Sequence, residues 1–433
     1  MIRKIERFGG AMPAVLAAAG LCACGGGDGA GAASGEWSGT MRDSAGVVLV
    51  QNPEAGLWEP GGAWTVSEVL RIGTSGADAD YQFGQITGIA ELADGRIAVF
   101  DTQGQEMRLY SAAGEYLQTI GGPGSGPGEF ALGAGPILVG PGDTLVVPDV
   151  SNQRVNRFAP DGEPLGSFPL NFAAGIPMAW LDTPGGDIVT QIRAMAFPGQ
   201  AFGGQAAGAD RELEGAGNDF LVRRRTDGSI IDTALVVKSG GTFQAADGGG
   251  SIEFFAPEPL WALLPDGVIY GVNDDYRFFV YGADGELERV ISRPFELQPV
   301  AADDQQYLID AMSRVWEDFG VPPPAIAQLR ETIGFAETYP AYALLRGGPD
   351  GSIWVQRLRD LGGMSAEERE EFNPMVGFGS PTWDVFDAEG RYMGRVEMPD
   401  RFQPIRFQDD RIYGIWTDDL DVQYALILEV ERV

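Results

Sequence analysis

Paired tight-turn signals recur along this chain at a spacing that leaves room for short antiparallel strands and little else. The first member of each pair is Asp94-Gly95, Gly142-Asp143, Gly186-Asp187, Asp266-Gly267, Asp350-Gly351 or Asp409-Asp410. The second is Ala113-Gly114, Asp161-Gly162, Asp227-Gly228, Asp284-Gly285 or Glu389-Gly390. Gly supplies positive φ at no steric cost, and Asp hydrogen-bonds backbone two residues on, so both residue types suit such turns. The runs 96–100, 144–147, 268–272 and 352–355 follow the first turn; their β-branched and aromatic content argues strand rather than helix. Where nothing is inserted, about 19 residues separate the two turns, enough for two strands and a connection. Each unit is therefore four antiparallel strands, a to d, with tight turns at a-b and c-d, which is a propeller blade.

The two ends of the repeat array settle the number of blades. Residues 115–121 (EYLQTIG) read as strand d of the first complete blade, leading through a Gly-rich loop into the next strand a. Residues 67–73 (SEVLRIG) look the same and lead into Ile86, but no strands a, b and c precede them. Residues 402–430 supply strands a, b and c with no d. The two fragments complete one another, and closing the ring this way leaves no open sheet edge between the ends. Five contiguous blades, starting near Ile86, Gly135, Met178, Leu260 and Ala341, plus one composite blade, make six. The expected fold is an all-β, six-bladed propeller with short helical insertions on one face.

Ahead of the repeats, Arg3, Lys4 and Arg7 precede an apolar run from Ala11 to Leu21. That run is shorter than the ~20 residues that span a bilayer and has the layout of a secretory signal. Leu21-Cys22-Ala23-Cys24 resembles the lipobox of bacterial lipoproteins. The resemblance implies cleavage after residue 23, lipidation of Cys24 and attachment to the cell envelope, the outer membrane where the host has one. The expected organisation is a signal peptide over 1–23, a flexible Gly/Ala-rich tether over 24–44 and the propeller over 45–433.

A second resemblance lies in the repeats themselves. Gly121 to Phe130 (GGPGSGPGEF) and the pattern Asp149-x-x-Asn152-x-Arg154 are similar to NHL-repeat propellers, whose blades carry a Gly-rich loop and a D-x-x-N-x-R motif. The C-terminal third resembles bacterial six-bladed propellers. The first blade departs from the pattern, with Gly104 and Glu106 in the places of Asn152 and Arg154.

Composition removes whole classes of function. The chain has no histidine, so no Ser-His-Asp triad, His general base or His-ligated zinc can exist in it. Both cysteines, Cys22 and Cys24, lie in the lipobox-like stretch ahead of the repeats, leaving the propeller without a thiolate nucleophile or a disulfide. With 62 acidic against 30 basic residues the surface repels phosphate backbones, so nucleic acid is not an expected partner. The Gly-rich loops open no helix and no GK[ST] follows them, so they are turn chemistry rather than phosphate cradles.

What remains is the face on which the insertions collect. Residues 192–217 and 357–380 interrupt b-to-c connections of blades three and five, and 238–254 and 295–338 lie in the d-to-a connections flanking blade four. All four fall on one face, the usual binding side of a repeat protein. Asp303 to Phe319 carries Tyr307, Leu308, Met312, Val315, Trp316 and Phe319 at helical spacing, and Ser365 with Glu368 forms a capping box. These helices either lid the channel or cover blade edges.

The same face carries a polar rung at the ends of the b-strands: Asp101, Asp149, Gln191, Asn273, Gln356 and Asp418 or Thr417. With Asn152 and Arg154 these are the candidate ligand-binding residues. Their oxygens suit a hard cation such as Ca²⁺, or else satisfy backbone groups of their own turns. No metal set or catalytic residue is assigned. The expected role is binding or scaffolding, with a protein, peptide or glycan held on the inserted face; the alternative is a Ca²⁺-dependent, lactonase-like hydrolase.

Overall fold

The computed structural model describes residues 36–58, 63–170, 172, 175–193, 218–239, 243–246 and 249–432. The signal segment, Cys24 and most of the 192–217 insertion lie outside them.

Six four-stranded antiparallel sheets form the ring. The chain enters through a hairpin of β1 (Thr40–Ser44) and β2 (Val47–Gln51), then β3 (Thr65–Ile72). Blade one is β4 (Ile86–Glu91), β5 (Ile97–Asp101), β6 (Glu106–Tyr110) and β7 (Tyr116–Gly121). Blade two is β8 (Leu138–Gly140), β9 (Thr144–Asp149), β10 (Arg154–Phe158) and β11 (Pro164–Pro169). Blade three is β12 (Ile176–Asp182), β13 (Ile188–Arg193), β14 (Asn218–Arg224) and β15 (Ile230–Lys238). After β16 (Phe243–Ala246) and β17 (Gly249–Phe254), blade four is β18 (Pro259–Leu264), β19 (Gly267–Val272), β20 (Arg277–Gly282) and β21 (Leu287–Ser292). Helices α1 (Ala302–Asp318) and α2 (Pro323–Arg330) and strand β22 (Ile333–Phe335) precede blade five, which is β23 (Leu344–Gly347), β24 (Ile353–Leu358), β25 (Gly379–Phe386) and β26 (Tyr392–Glu397). A short helix α3 (Ala366–Glu371) interrupts it. Blade six is β27 (Phe402–Gln408), β28 (Arg411–Thr417), β29 (Gln423–Glu431) and the distant β3.

Ring closure follows the expectation. β3 pairs antiparallel to β29, from Ala425 against Ile72 to Glu431 against Thr65. The ordered chain starts earlier than Ala45, however. Thr40–Ser44 falls in the stretch read as tether, yet it pairs along its whole length with β2, which runs parallel to β21 and extends blade four to six strands. All five residues of β1 are exposed, so its place is held by backbone bonds rather than by a buried stripe.

The core lies between blades. In β5, Ala98 and Phe100 pack with Leu145 and Val147 of blade two, while Ile97 and Val99 pack with Tyr413 and Ile427 of blade six. Both faces of the strand are buried, which is why its sequence reads as a continuous apolar run and not an alternating one. The c-d turn glycines add a second seam. Gly162 has φ +87°, and a Cβ there would stand 2.7 Å from Ile120 in strand d of the preceding blade. Gly390, at φ +88°, would meet Ile291 at 2.6 Å in the same way. These positions need glycine twice over, for the turn and for the close approach of neighbouring blades.

An ion pair crosses the ring. Arg406 on β27 of blade six donates through both Nη atoms to Asp182 at the end of β12 in blade three, at 2.8 and 2.7 Å. Arg406 Nη2 also reaches the Ile137 carbonyl at 2.9 Å. Blades three and six stand opposite one another in a six-membered ring, so this fork bridges the channel near the a-b turn face.

Candidate functional site

The insertions around blades four and five build one small cap with its own core. β17, from the connection before blade four, pairs in parallel with β22, from the connection after it, Ile252 opposite Ile333 and Phe254 opposite Phe335. On α1 the buried stripe is Leu308, Ala311 and Met312. Leu308 and Met312 join Phe254, Phe255, Val300 and Leu361, with Trp316, Phe335, Phe372 and Phe378 packed around them. Phe319, expected to finish the stripe, is 79% exposed, because the helix ends at Asp318 and turns its cap residue outward. The capping box on α3 forms as expected: Glu368 N donates to Ser365 Oγ and Ser365 N to Glu368 Oε2.

Side-chain bonds tie α1 to α3 and so join two of the insertions. Buried Asp304 on α1 accepts from Tyr339 Oη at 2.7 Å and from Arg369 Nη2 on α3 at 3.3 Å. Burial, then the neighbouring Asp304 charge, pushes the Tyr339 phenol well above its ordinary range. Arg369 lies 4.7 Å over the Tyr307 ring, whose hydroxyl donates to the Arg369 carbonyl. The insertions thus do more than cover blade edges separately; they fold on one another.

Under this cap lies a cavity of about 280 Å³, walled by Ile252, Phe254, Phe255, Leu358, Met375 and Phe378, with Glu258 and Asn273 among its polar lining. Its size is near the lower end of small-molecule sites, ~300 to 1,000 Å³, and its mixture of apolar wall and few polar groups is typical of them. A second hollow, about 370 Å³, lies outside the ring between blades one and two, lined by turn and strand-edge residues such as Gln118, Glu129, Asp161 and Glu163.

The polar rung is not gathered into one cage. Asp101 accepts from the amides of Gly84, Gln85, Gln103 and Gly104 at 2.9 to 3.1 Å. Asp149 takes Asn152 Nδ2 at 2.7 Å and the amides of Ala131 and Asn152. Gln191 Nε2 donates to Asp219 at 2.6 Å, and its Oε1 accepts from Trp261 Nε1 at 2.8 Å. Asn273 Oδ1 accepts the Glu258 amide and its Nδ2 donates to the Tyr342 carbonyl. Gln356 donates to the Ser380 carbonyl. Asp418 binds the amides of Leu420 and Val422 and the Tyr424 hydroxyl; partial burial would raise its carboxyl, but those bonds outweigh it and hold the group below its ordinary range. Among the described residues no three Asp, Glu or Cys side chains converge as metal ligands.

Asn152 and Arg154 serve the Gly-rich loop. Asn152 Nδ2 donates to Gly124 O, while Arg154 reaches Ser125 O, Gly126 O and Glu129 O, each at 2.8 Å. The motif wraps its own d-to-a loop around a guanidinium. Two fully buried acids went unread in the sequence, Asp219 in β14 and Asp384 in β25. For Asp384 the signal was a single acid among apolar neighbours, Trp383-Asp384-Val385-Phe386; Asp219, second in the polar-ended strand 218–224, carried none.

A sequence profile of the 6-bladed beta-propeller family matches residues 77–170, which are blade one, the Gly-rich loop and blade two. No curated protein matches the sequence. Among solved structures, the chain is similar to a Bacteroides fragilis protein provisionally classed as exported, at 13% identity and a TM-score of 0.47, covering 88% of this chain and 99% of that one. It is also similar to a gluconolactonase from Xanthomonas campestris, at 13% identity and 0.38, covering 86% and 99%. A calcium-binding regucalcin from Agrobacterium tumefaciens stands at 10% and 0.37, covering 88% and 97%. The protein is a six-bladed β-propeller of four-stranded blades, and no helix among the described residues is long and apolar enough to cross a membrane.

Proposed function

We propose that this propeller is an extracytoplasmic binding protein, held at the cell envelope through a lipid on Cys24, that recognises a protein or peptide partner on its capped face. The observation that carries the reading is the aromatic-walled cavity under the cap, which suits one apolar anchor side chain set among polar surroundings. The cap is assembled from insertions on the face opposite the tight turns, where a repeat protein can vary its surface without disturbing its ring. The rung oxygens are engaged by backbone amides and by their own neighbours, which supports binding over calcium-dependent hydrolysis.

A peptide-display selection on the purified chain tests this. Selected peptides should share an apolar anchor, bind without added metal, and lose at least tenfold in affinity to an Ala343→Phe variant that fills the cavity. Binding that Ala343→Phe leaves unchanged, or that requires calcium, would sink the reading. Mass spectrometry of the N-terminal peptide from the membrane fraction checks the anchor; an unmodified Cys24 rules it out.

A further inference from the structure

Asp384 is the only acid among the described residues approached by three arginines. It points into the seam between blades four and five, on the side of β25 shared with Phe386, which packs against Tyr276, Phe278 and Ile291 of blade four. Tyr276 Oη donates to Oδ2 at 2.6 Å and Tyr392 Oη to Oδ1 at 2.7 Å. Arg293 Nη1 adds a bond to Oδ2 at 3.2 Å, with its guanidinium 4.0 Å over the Tyr392 ring. Those three donors take most of the ~4 lone-pair sites that a carboxylate offers.

Two more arginines converge on what is left. Arg357 Nη1 stands 3.4 Å from Oδ2, and Arg395 Nε stands 3.5 Å from Oδ1. Charge-assisted bonds usually run ~2.7 to 2.9 Å, so both are loosely held. Neither pairs with another acid among the described residues. Their side chains are 33% and 53% exposed, whereas Arg293 is 9% exposed. Arg395 lies directly across the β25–β26 ladder from Asp384, and Arg357 follows Gln356 on β24, so three adjacent strands carry the group.

The charges do not balance locally. Guanidinium groups stay protonated at any physiological pH, and the two phenols are neutral, because burial and the Asp384 charge raise both. Three positive charges against one negative leave an excess of two, in a chain whose net charge is −32. Asp384 needs only Arg293 and the tyrosines to be satisfied; the outer pair has donors to spare.

We propose that Arg357 and Arg395 form a binding site for an anionic oxygen group, a carboxylate or a phosphate of a ligand, with Asp384 as the internal strut that brings the two guanidinium groups together. Each guanidinium presents a planar fork of N–H donors, which matches the oxygens of either group. Leu358, the residue after Arg357, lines the cavity under the cap, so the two sites adjoin along one strand. The anion site rests on its own geometry and stands whether or not the cavity is filled.

Calorimetric titration of the full chain with acetate and with inorganic phosphate, at matched ionic strength, decides it. The expected result is saturable millimolar binding that weakens at least tenfold in Arg357→Gln/Arg395→Gln and is unchanged in Arg42→Gln, a control on exposed β1. Tighter acetate binding assigns a carboxylate ligand, and tighter phosphate binding assigns a phosphate. Should the double variant fail to fold by circular dichroism, the single Arg395→Gln, removing the most exposed of the three, carries the same expectation. No saturable heat with either anion, or equal affinity in the variants, overturns the proposal.

Discussion

Asn52 Oδ1 accepts the backbone amide of Tyr392 at 2.6 Å, joining positions 340 residues apart in sequence. The same side chain uses the rest of its capacity. Oδ1 also accepts from Trp37 Nε1, and Nδ2 donates to Ser292 O in blade four and Gly390 O in blade five. Beyond it, the amides of Leu57 and Trp58 bond to Tyr392 O and Met393 O on the edge of blade five before the chain reaches β3 in blade six. The segment from β1 to β3 therefore straps the outer edges of three successive blades, with Asn52 at the first crossing.

Asn52→Ala should destabilise the protein by about 2 to 4 kcal/mol, since buried donors and acceptors are left without partners. Asn52→Asp should not rescue it, because a carboxylate would face the carbonyls of Ser292 and Gly390. Denaturant unfolding reads both; a loss under about 1 kcal/mol for the Ala variant contradicts the keystone role.

Arg154→Met should loosen the Gly-rich loop more than the fold. Its three carbonyl acceptors lie in a loop that water can reach, so the expected cost is about 1 to 3 kcal/mol. Amide exchange should accelerate at Gly124 and Phe130, whose N–H groups close the loop on Phe130 O and Gly122 O. Arg154→Lys should exchange almost as fast, since an ammonium cannot reproduce the fork. Unchanged exchange in 121–130 would show that the loop holds itself.

Alkaline pH should unfold the blade four–five seam. Burial first, then the Asp384 charge, raises the Tyr276 phenol well above 10.0 and that of Tyr392 to about 12. Both stay neutral in the folded protein while the unfolded chain ionises near pH 10. The stability they carry is whole below that pH and declines as pH rises from 10 through 12, by up to about 1.4 kcal/mol per pH unit for each phenol. Equilibrium unfolding across this range should show a shallower slope in Tyr276→Phe/Tyr392→Phe, and an identical slope would disprove the assignment.

Leu308→Ala should disturb the cap and spare the ring. Leu308 is fully buried in the cap core, so a cavity there should cost about 2 to 5 kcal/mol of local stability. Exchange should rise across 302–318 and stay slow in 97–101. Equal acceleration of both would mean that cap and ring unfold as one unit.

The ring was legible because its signals are local and repeated. A turn pair in each of the five contiguous blades, and a lone strand d matched by a C-terminal blade that lacks one, are properties of consecutive residues; the observed closing strand, Thr65–Ile72, differs from the read segment by one or two residues. The cap core was not legible. Phe254, Leu308, Phe335 and Phe378 come from three insertions, and only the tertiary fold brings them together. The hairpin before β3 was hidden for another reason: β1 reads as polar and pairs without burying any residue. Among the candidate site residues, Asp101 and Asp149 end their b-strands, Asn273 and Asp418 stand one residue beyond theirs and Gln191 and Gln356 two residues inside, while which atoms each side chain binds depends on loops whose shape no local pattern specifies. Asp384 escaped because two of its partners, Tyr276 and Arg293, lie 108 and 91 residues away.

The strap also fixes a path for force. Tension entering at residue 36 would meet the β1–β2 hairpin first, then the parallel β2–β21 ladder, then the side-chain bonds of Asn52, then the short pairing at Leu57 and Trp58. Only after those yield does the load reach β3, whose pairing with β29 keeps the ring shut. A protein pulled from that end has four sacrificial fastenings ahead of the one it must not lose.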